Sequence, residues 1–297
     1  MISVRHLSHR YAQAQSAALS GIDLDIAAGE CLGLLGANGA GKTTLMSLLC
    51  GLFPVQQGEI VLDGVPLQRL SRAARQQISL VPQDFAFYPL LSVWDNMLFF
   101  AALYRVKNRP FLRQLLEQCG LDEHRHKQAR HLSGGLKRRL NFAIGQINTP
   151  RLVFLDEITV GIDPASRRFI LESVADLTRR GVTVIYTSHY LQEIETLCDK
   201  IALLSHGRMI YHGALHEVLA QSGQTPLTFR TERPLSPEAL AQYGIQVAAD
   251  GEMTAPADML PETLCAWLQQ QNHTVQSLHY GHASLEAFYL NFLQEYA

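Results

Sequence analysis

Apolar and polar residues alternate at period two through Ile22-Asp23-Leu24-Asp25-Ile26, and more briefly around Ser3-Val4-Arg5. Such alternation predicts half-buried strands at the start of the chain. The pattern then changes character. Cys31 to Leu35 is almost continuously apolar and runs through a glycine-rich turn into a predicted helix from about Lys42 to Cys50. A strand of that kind is covered on both faces, as in parallel sheets. Ile60 to Leu62 with Asp63-Gly64 behind it predicts a strand entering a tight turn. Ile78 to Val81, ended by Pro82, predicts another short strand.

From Ser92 to about Asn148 the period becomes helical. Ser92, with Asp95 three residues on, predicts a capping-box-like start. Val93, Met97, Phe100, Ala101 and Tyr104 then share one face. Leu136, Leu140, Ala143, Ile144 and Ile147 form a second stripe, with Lys137, Arg138 and Arg139 on the polar side. Strand and helix alternate again afterwards. Leu152 to Leu155 is an apolar strand, and Arg167 to Arg180 a helix with Ile170, Val174 and Leu177 in a stripe, closed by Gly181. Val182 to Thr187, Leu191 to Cys198 and Ile201 to Leu204 predict strand, helix and strand, and His206-Gly207-Arg208 turns the chain into Met209-Ile210-Tyr211. This rhythm predicts an α/β domain over 1–222, with a largely parallel sheet and a helical insertion over about 84–148. The composition shifts at Ser222-Gly223-Gln224-Thr225-Pro226, which predicts a linker. Beyond it the order strand, helix, strand, strand, helix, strand, helix fits a small α+β domain over 223–297, of βαββαβ or ferredoxin-like type. Asp250-Gly251 would turn between its middle strands, and Pro261 would open its second helix.

Composition narrows the picture. A hydrophobic fraction of 47% against 18% charged residues fits a well-filled globular core. The formal net charge of -2 removes the basic excess that nucleic-acid binding ordinarily requires. Cys31, Cys50, Cys119, Cys198 and Cys265 are scattered without CxxC spacing, so they predict reduced thiols of a cytosolic protein rather than a disulfide framework or a zinc site. The start lacks the apolar core of a signal peptide. No apolar run approaches the roughly 20 residues needed to cross a bilayer. Leu90 to Leu103, the greasiest stretch, is broken by Ser92, Asp95 and Asn96. A transport role would need a pore made by another polypeptide.

Gly36-Ala37-Asn38-Gly39-Ala40-Gly41-Lys42-Thr43-Thr44 fits GxxxxGK[ST] between a predicted strand and a predicted helix. Glycines let backbone N–H groups turn inward around phosphate oxygens, and the helix N-terminus adds partial positive charge. Lys42 would neutralise the β- and γ-phosphates, and the Thr43 hydroxyl would ligate Mg²⁺. Arg151 to Asp156 reads RLVFLD, so a buried strand would deliver Asp156 to the carboxyl edge of the sheet, where it could hold Mg²⁺. Glu157 follows directly and could polarise an attacking water.

Between these motifs stands Leu132-Ser133-Gly134-Gly135-Leu136, shortly before LVFLDE. With it the chain resembles the ATP-binding subunits of ABC transporters over about Met1 to Ser222. The resemblance implies a RecA-like core, an antiparallel β subdomain and a helical signature subdomain. It implies that Tyr11 stacks on adenine, that Gln83 of VPQD contacts Mg²⁺ and water, that Gly161-Ile162-Asp163 is the D-loop, and that His189 of TSHY touches the γ-phosphate. ATP would lie on Gly36, Asn38, Gly39, Ala40, Gly41, Lys42, Thr43 and Thr44. Catalysis would fall to Glu157, His189, Lys42 and Gln83, and Mg²⁺ to Thr43, Gln83 and Asp156. Ser133, Gly134, Gly135 and Asp163 would contact nucleotide held by a second cassette packed head to tail. The implied partners are that cassette and a membrane permease, which would place the chain on the cytoplasmic face of the inner or plasma membrane. Phe85 to Leu91 would dock the permease, or else pack as ordinary core.

Two positions depart from the family. Ile158 stands where a proline usually follows the glutamate, which relaxes the backbone near Glu157, and Leu136 replaces a frequent glutamine, leaving no side chain to bond the partner's nucleotide. LSVWDNMLFFAALY, LSGGLKRRL and Ser284-Leu285-Glu286-Ala287-Phe288 look like exporter cassettes. Two other readings remain open at this point. A soluble ATPase working on ribosomes or DNA would usually fuse two cassettes or carry basic insertions. A degenerate cassette would bind ATP without hydrolysing it, against which stand Lys42, Asp156, Glu157 and His189.

Overall fold

The alternating segments at the start of the chain pair with each other. In the computed structural model β1 (Ile2–His9) runs antiparallel to β2 (Leu19–Ile26), with Val4 opposite Leu24. The structure describes residues 1–221, 227–248, 251–256, 259–279, 285–286 and 288–289. They fall into two compact units, Met1–Leu215 and His216–Ala297.

In the first unit β3 (Cys31–Gly36) leads to α1 (Lys42–Leu49), then to β4 (Gln57–Leu62) and β5 (Val65–Pro66), the short α2 (Arg72–Arg75) and β6 (Ile78–Val81). The helical part carries α3 (Val93–Tyr104), α4 (Arg109–Gln118) and α5 (Gly134–Gly145). The chain closes the unit through β7 (Leu152–Asp156), α6 (Pro164–Arg179), β8 (Thr183–Thr187), α7 (Leu191–Leu197), β9 (Lys200–Ser205) and β10 (Arg208–Ala214). Two sheets result. One is antiparallel, in the order β2-β1-β4-β5, and the other follows β10-β9-β3-β8-β7-β6. Strands β9, β3, β8, β7 and β6 are parallel, and β10 lies antiparallel at the edge. Leu45, Met46, Leu48 and Leu49 of α1 join Val4, Leu24, Leu34 and Phe154 in one buried cluster, so α1 shares a core with strands of both sheets. Every residue from Leu152 to Leu155 is buried, as a strand covered on both faces demands.

The helical part begins as its sequence predicts. Ser92 accepts the Asp95 N–H at 3.0 Å and donates its hydroxyl to the Asp95 carboxylate at 2.6 Å. Val93, Met97 and Ala101 are buried, but so is Asn96, which the apolar stripe does not contain. Its side chain accepts the Tyr88 N–H at 2.8 Å and donates to the carbonyls of Tyr88 and Ser92 at 3.0 and 2.9 Å. The buried amide thus stands in for the partners that an irregular loop lacks. A second correction concerns Arg138, expected on the polar side of α5 and instead buried. Its guanidinium donates to the Gln83 carbonyl at 2.7 Å and lies 4.9 Å from the Phe85 ring centroid, partners that offset its burial.

Helix α8 (Leu215–Gln221) starts at the last residue of the first unit, and the second unit continues with β11 (Thr228–Thr231), α9 (Pro237–Gln242), β12 (Gln246–Val247), β13 (Met253–Thr254), α10 (Pro261–Gln270) and β14 (Val275–His279). The sheet order β12-β13-β11-β14, with every pair antiparallel, is the split βαβ arrangement. Phe229, Leu264, Trp267 and Leu268 form its core. The predicted linker 222–226, Asp250 of the predicted turn and most of the predicted last helix lie outside the described residues.

Candidate functional site

Strand β3 ends at the carboxyl edge of the parallel sheet, and the chain bends there into α1. Gly41 caps the helix with φ of 106°, and a Cβ at this position would meet the Ala18 carbonyl oxygen at 2.8 Å. Only glycine fits such a bend. It also brings no side chain to bond the first helical amides, which leaves them to an anion. The Lys42 ammonium donates to the carbonyls of Gly36 and Ala37 at 2.7 and 3.2 Å, which holds the side chain over its own loop. Burial lowers the Lys42 pKa, and the carboxylates of Glu157 and Asp156 oppose that shift.

Gly41 and Lys42 line a cleft of about 490 Å³. Asn38, Gly39, Ala40, Gly41, Lys42, Thr43 and Thr44 form one wall, and Tyr11, Gln83, Glu157 and His189 reach it from four other segments. The Tyr11 hydroxyl and the Thr44 hydroxyl are 3.0 Å apart. Its ring sits edge-on to His9 and Phe53, with centroids 5.1 and 5.9 Å away, yet 43% of the residue stays exposed. Gly36 lies just before this wall, at the end of β3.

The second half of the site hangs from one threonine. Asp156 closes β7 opposite Thr187 of β8, whose hydroxyl donates to the Asp156 carboxylate at 2.7 Å. The same hydroxyl oxygen accepts the Glu157 N–H at 3.0 Å. Glu157 itself has φ of 49°, the left-handed conformation that a residue with a Cβ adopts only when its surroundings enforce it. Thr187 supplies a hydrogen bond that favours this conformation. Ile158 is fully buried, and the Val160 N–H closes a turn on the Glu157 carbonyl at 3.2 Å. The Glu157 carboxylate, nearly all buried, meets His189 Nε2 at 2.9 Å.

Of the three residues expected on Mg²⁺, Thr43 and Gln83 line the cleft and Asp156 does not, while all three carry the side-chain oxygens that Mg²⁺ prefers. Among the described residues no cluster of three His, Cys, Asp or Glu side chains could hold a metal by itself. An ion here would have to share its shell with phosphate oxygens and water, as Mg²⁺ does beside nucleotides.

Ser133, Gly134, Gly135 and Asp163 do not line this cleft. Ser133 caps α5 by accepting the Leu136 N–H at 3.3 Å. Gly135 packs so tightly that an added Cβ would sit 2.6 Å from Ser166 Cβ and 2.7 Å from Asp163 Oδ2. Asp163 in turn caps α6, accepting the Ser166 N–H at 2.9 Å, and that bond holds its carboxyl below the usual range. The four residues therefore form a second cluster where the starts of α5 and α6 meet. The loop carrying Gln83 is tied to α5 through Arg138 and through Asn141, which donates to the Pro82 carbonyl at 3.0 Å and accepts the Ala86 N–H at 3.1 Å. Sequence reasoning missed both residues. Their signal is a pair of polar residues, Arg138 and Asn141, three apart on the face of α5 that the apolar stripe leaves free.

Comparison with known proteins identifies similar chains. The family model described as ABC transporter matches residues 19–160. The linearmycin resistance ATP-binding protein LnrL of Bacillus subtilis is 40% identical over 208 residues, 69% of this chain and 67% of that protein. The Nod factor export ATP-binding protein I of Burkholderia lata is 37% identical over 226 residues, covering 72% of this chain and 74% of that one. Among solved structures, cbiO1 from Clostridium perfringens, part of the ABC transporter complex cbiONQ, shares 28% identity with a TM-score of 0.65, over 74% of this chain and 90% of that chain. A dimeric ATP-binding cassette in a post-hydrolysis state with ADP and Pi shares the fold at 23% identity, with a TM-score of 0.65 over 72% of this chain and 99% of that chain.

Proposed function

The chain belongs to the ABC transporter family as an ATP-binding, ATP-hydrolysing cassette of an export-type transporter, and we propose that two such cassettes close over ATP and Mg²⁺ to drive a separate permease. One observation carries the reading. A single cleft gathers the phosphate loop with Gln83, Glu157 and His189, residues that lie far apart in the chain. The amides of the loop and the start of α1 would bind the phosphates, with Lys42 neutralising their charge. Glu157 would take up proton density from the attacking water while His189, already in contact with its carboxylate, orients it. Thr43, Gln83 and Asp156 would hold Mg²⁺, which when bound neutralises charge on the phosphate oxygens.

The cluster at Ser133, Gly134, Gly135 and Asp163 would serve the partner cassette's nucleotide. In support of the permease, Tyr88, Leu90, Leu91, Phe99 and Leu103 are exposed on and around α3, next to the loop that carries Gln83. Phe87, in the same stretch, is buried and belongs to the core. Among the described residues no helix is long and apolar enough to cross a membrane, which accords with a pore supplied by other subunits. The named relatives act in Nod factor export and linearmycin resistance. On this reading the cassette would work at the cytoplasmic face of the membrane. Glu157→Gln should retain ATP binding and slow phosphate release by roughly 10²–10⁴-fold, the scale of lost general-base assistance. Parent-like steady-state phosphate release from that variant would remove Glu157 from the role.

A further inference from the structure

Glu193, in the first turn of α7, is 3% exposed and lies outside the cleft. Its Oε2 accepts hydroxyls from Thr159 at 2.9 Å, Tyr186 at 2.8 Å and Ser188 at 2.5 Å, while its Oε1 accepts Arg167 Nε at 2.5 Å. Burial, then the charge of Glu193, raises the Tyr186 phenol well above its ordinary range, so it stays a donor. A carboxylate so enclosed persists only when donors offset the loss of water. What matters is where these donors come from. Thr159 stands two residues after Glu157, and Ser188 immediately precedes His189. Tyr186 adjoins Thr187, which holds Asp156 and Glu157. Arg167 lies in the first turns of α6, four residues after the capping Asp163, with its guanidinium 3.5 Å from the Tyr190 ring centroid. A charge needed for folding alone could draw on any neighbours. This one ties together the segments that present the reacting groups.

We propose that Glu193 is a positioning residue for ATP hydrolysis, holding the Glu157 and His189 segments in register with each other and with the start of α6. The inference rests on the roles assigned above to Glu157 and His189. In Glu193→Gln one amide oxygen can still serve the hydroxyls, but the amide N–H groups face the Arg167 guanidinium, so the link to α6 is lost. The expected result for the full chain is a fall in kcat on the order of 10–100-fold, the scale of a small misplacement of reacting groups, with little change in KM for ATP. In a Glu157→Gln background the same change should lower the residual turnover little further, because both act on one step. A purely structural residue would multiply the two losses, and that outcome overturns the proposal, as does a parent-like kcat. Thr159→Val and Ser188→Ala remove one hydroxyl each and spare the charge. Should Glu193→Gln not fold, a several-fold drop in kcat at unchanged KM in both supports the proposal, and parent-like kcat in both overturns it. Normal hydrolysis by Glu157→Gln alone would instead overturn the role of Glu157 itself, whatever the Glu193 variants do.

Discussion

Two helix N-termini in this molecule carry glycines, and they are built in opposite ways. The start of α1 is capped by Gly41, has no side chain bonded to its amides, and opens on a cleft shared with Gln83, Glu157 and His189. The start of α5 is capped by the Ser133 hydroxyl, and its Gly135 is pressed against Ser166 and Asp163 of α6. Both ends concentrate amide dipoles. Only the first brings a lysine and a buried carboxylate to the same place. The lesson is that, on the proposed reading, the first would grip phosphates with groups of one chain, whereas the second is a shaped surface whose chemistry depends on what meets it. Substitutions at the two ends should therefore fail in different ways.

The largest effect is expected at the first. Lys42→Ala removes the ammonium that lies over the loop, and turnover should fall on the order of 10²–10³-fold, as when a preorganised charge-stabilising donor is lost. Nucleotide affinity of the single chain should weaken with it, measured by titration with a fluorescent ATP analogue. Parent-like affinity and turnover in this variant would mean that the cleft is not where ATP binds.

That asymmetry is partly legible in the sequence. The cradle can be read because its residues are contiguous and its flanks have clear periodicity, so Gly36 to Thr44 and Asp156-Glu157 fall at strand ends as the pattern predicts. The α+β order of the second unit is visible for the same reason, with Pro261 opening α10 as expected. What the sequence hides is convergence across long separations. Thr187 fixes Glu157 from a neighbouring strand, and Glu193 draws four donors from three segments. No local pattern announces either. Arg138 escapes the pattern because a charged side chain on a helix is ordinarily solvated, and here the Gln83 carbonyl and the Phe85 ring offset its burial. The turn at Ile158 is hidden for a related reason, since the bonds made there by the Glu157 N–H and the Glu157 carbonyl cannot be read from the missing proline.

A smaller effect is expected from Gly135→Ala at the second end. The added methyl would overlap the Ser166 side chain and crowd Asp163, and overpacking of this sort costs about 1–3 kcal/mol. Thermal unfolding should register that loss. Nucleotide affinity of the single chain should not change, because Gly135 does not line its cleft. If two cassettes share each nucleotide, ATPase activity should fall and require higher protein concentration to recover. A shift in unfolding alone, with parent-like turnover at every protein concentration, would reduce the α5 tip to a packing element.

The smallest change separates those two possibilities at a single atom. Ser133→Ala deletes the hydroxyl that caps α5, worth about 1 kcal/mol for an ordinary N-cap. In a unit of this size that corresponds to a Tm lower by about 2–4 °C. Ser133→Asn restores an acceptor for the Leu136 N–H, since asparagine caps as well as serine, and should restore Tm. It also presents a bulkier amide at the exposed tip. If the tip meets a partner's phosphate, Ser133→Asn will have parent-like stability and impaired turnover, while Ser133→Ala loses stability as well. If turnover follows Tm through both variants, the serine only caps its helix, and the opposition between an open end and a closed one has no bearing on hydrolysis.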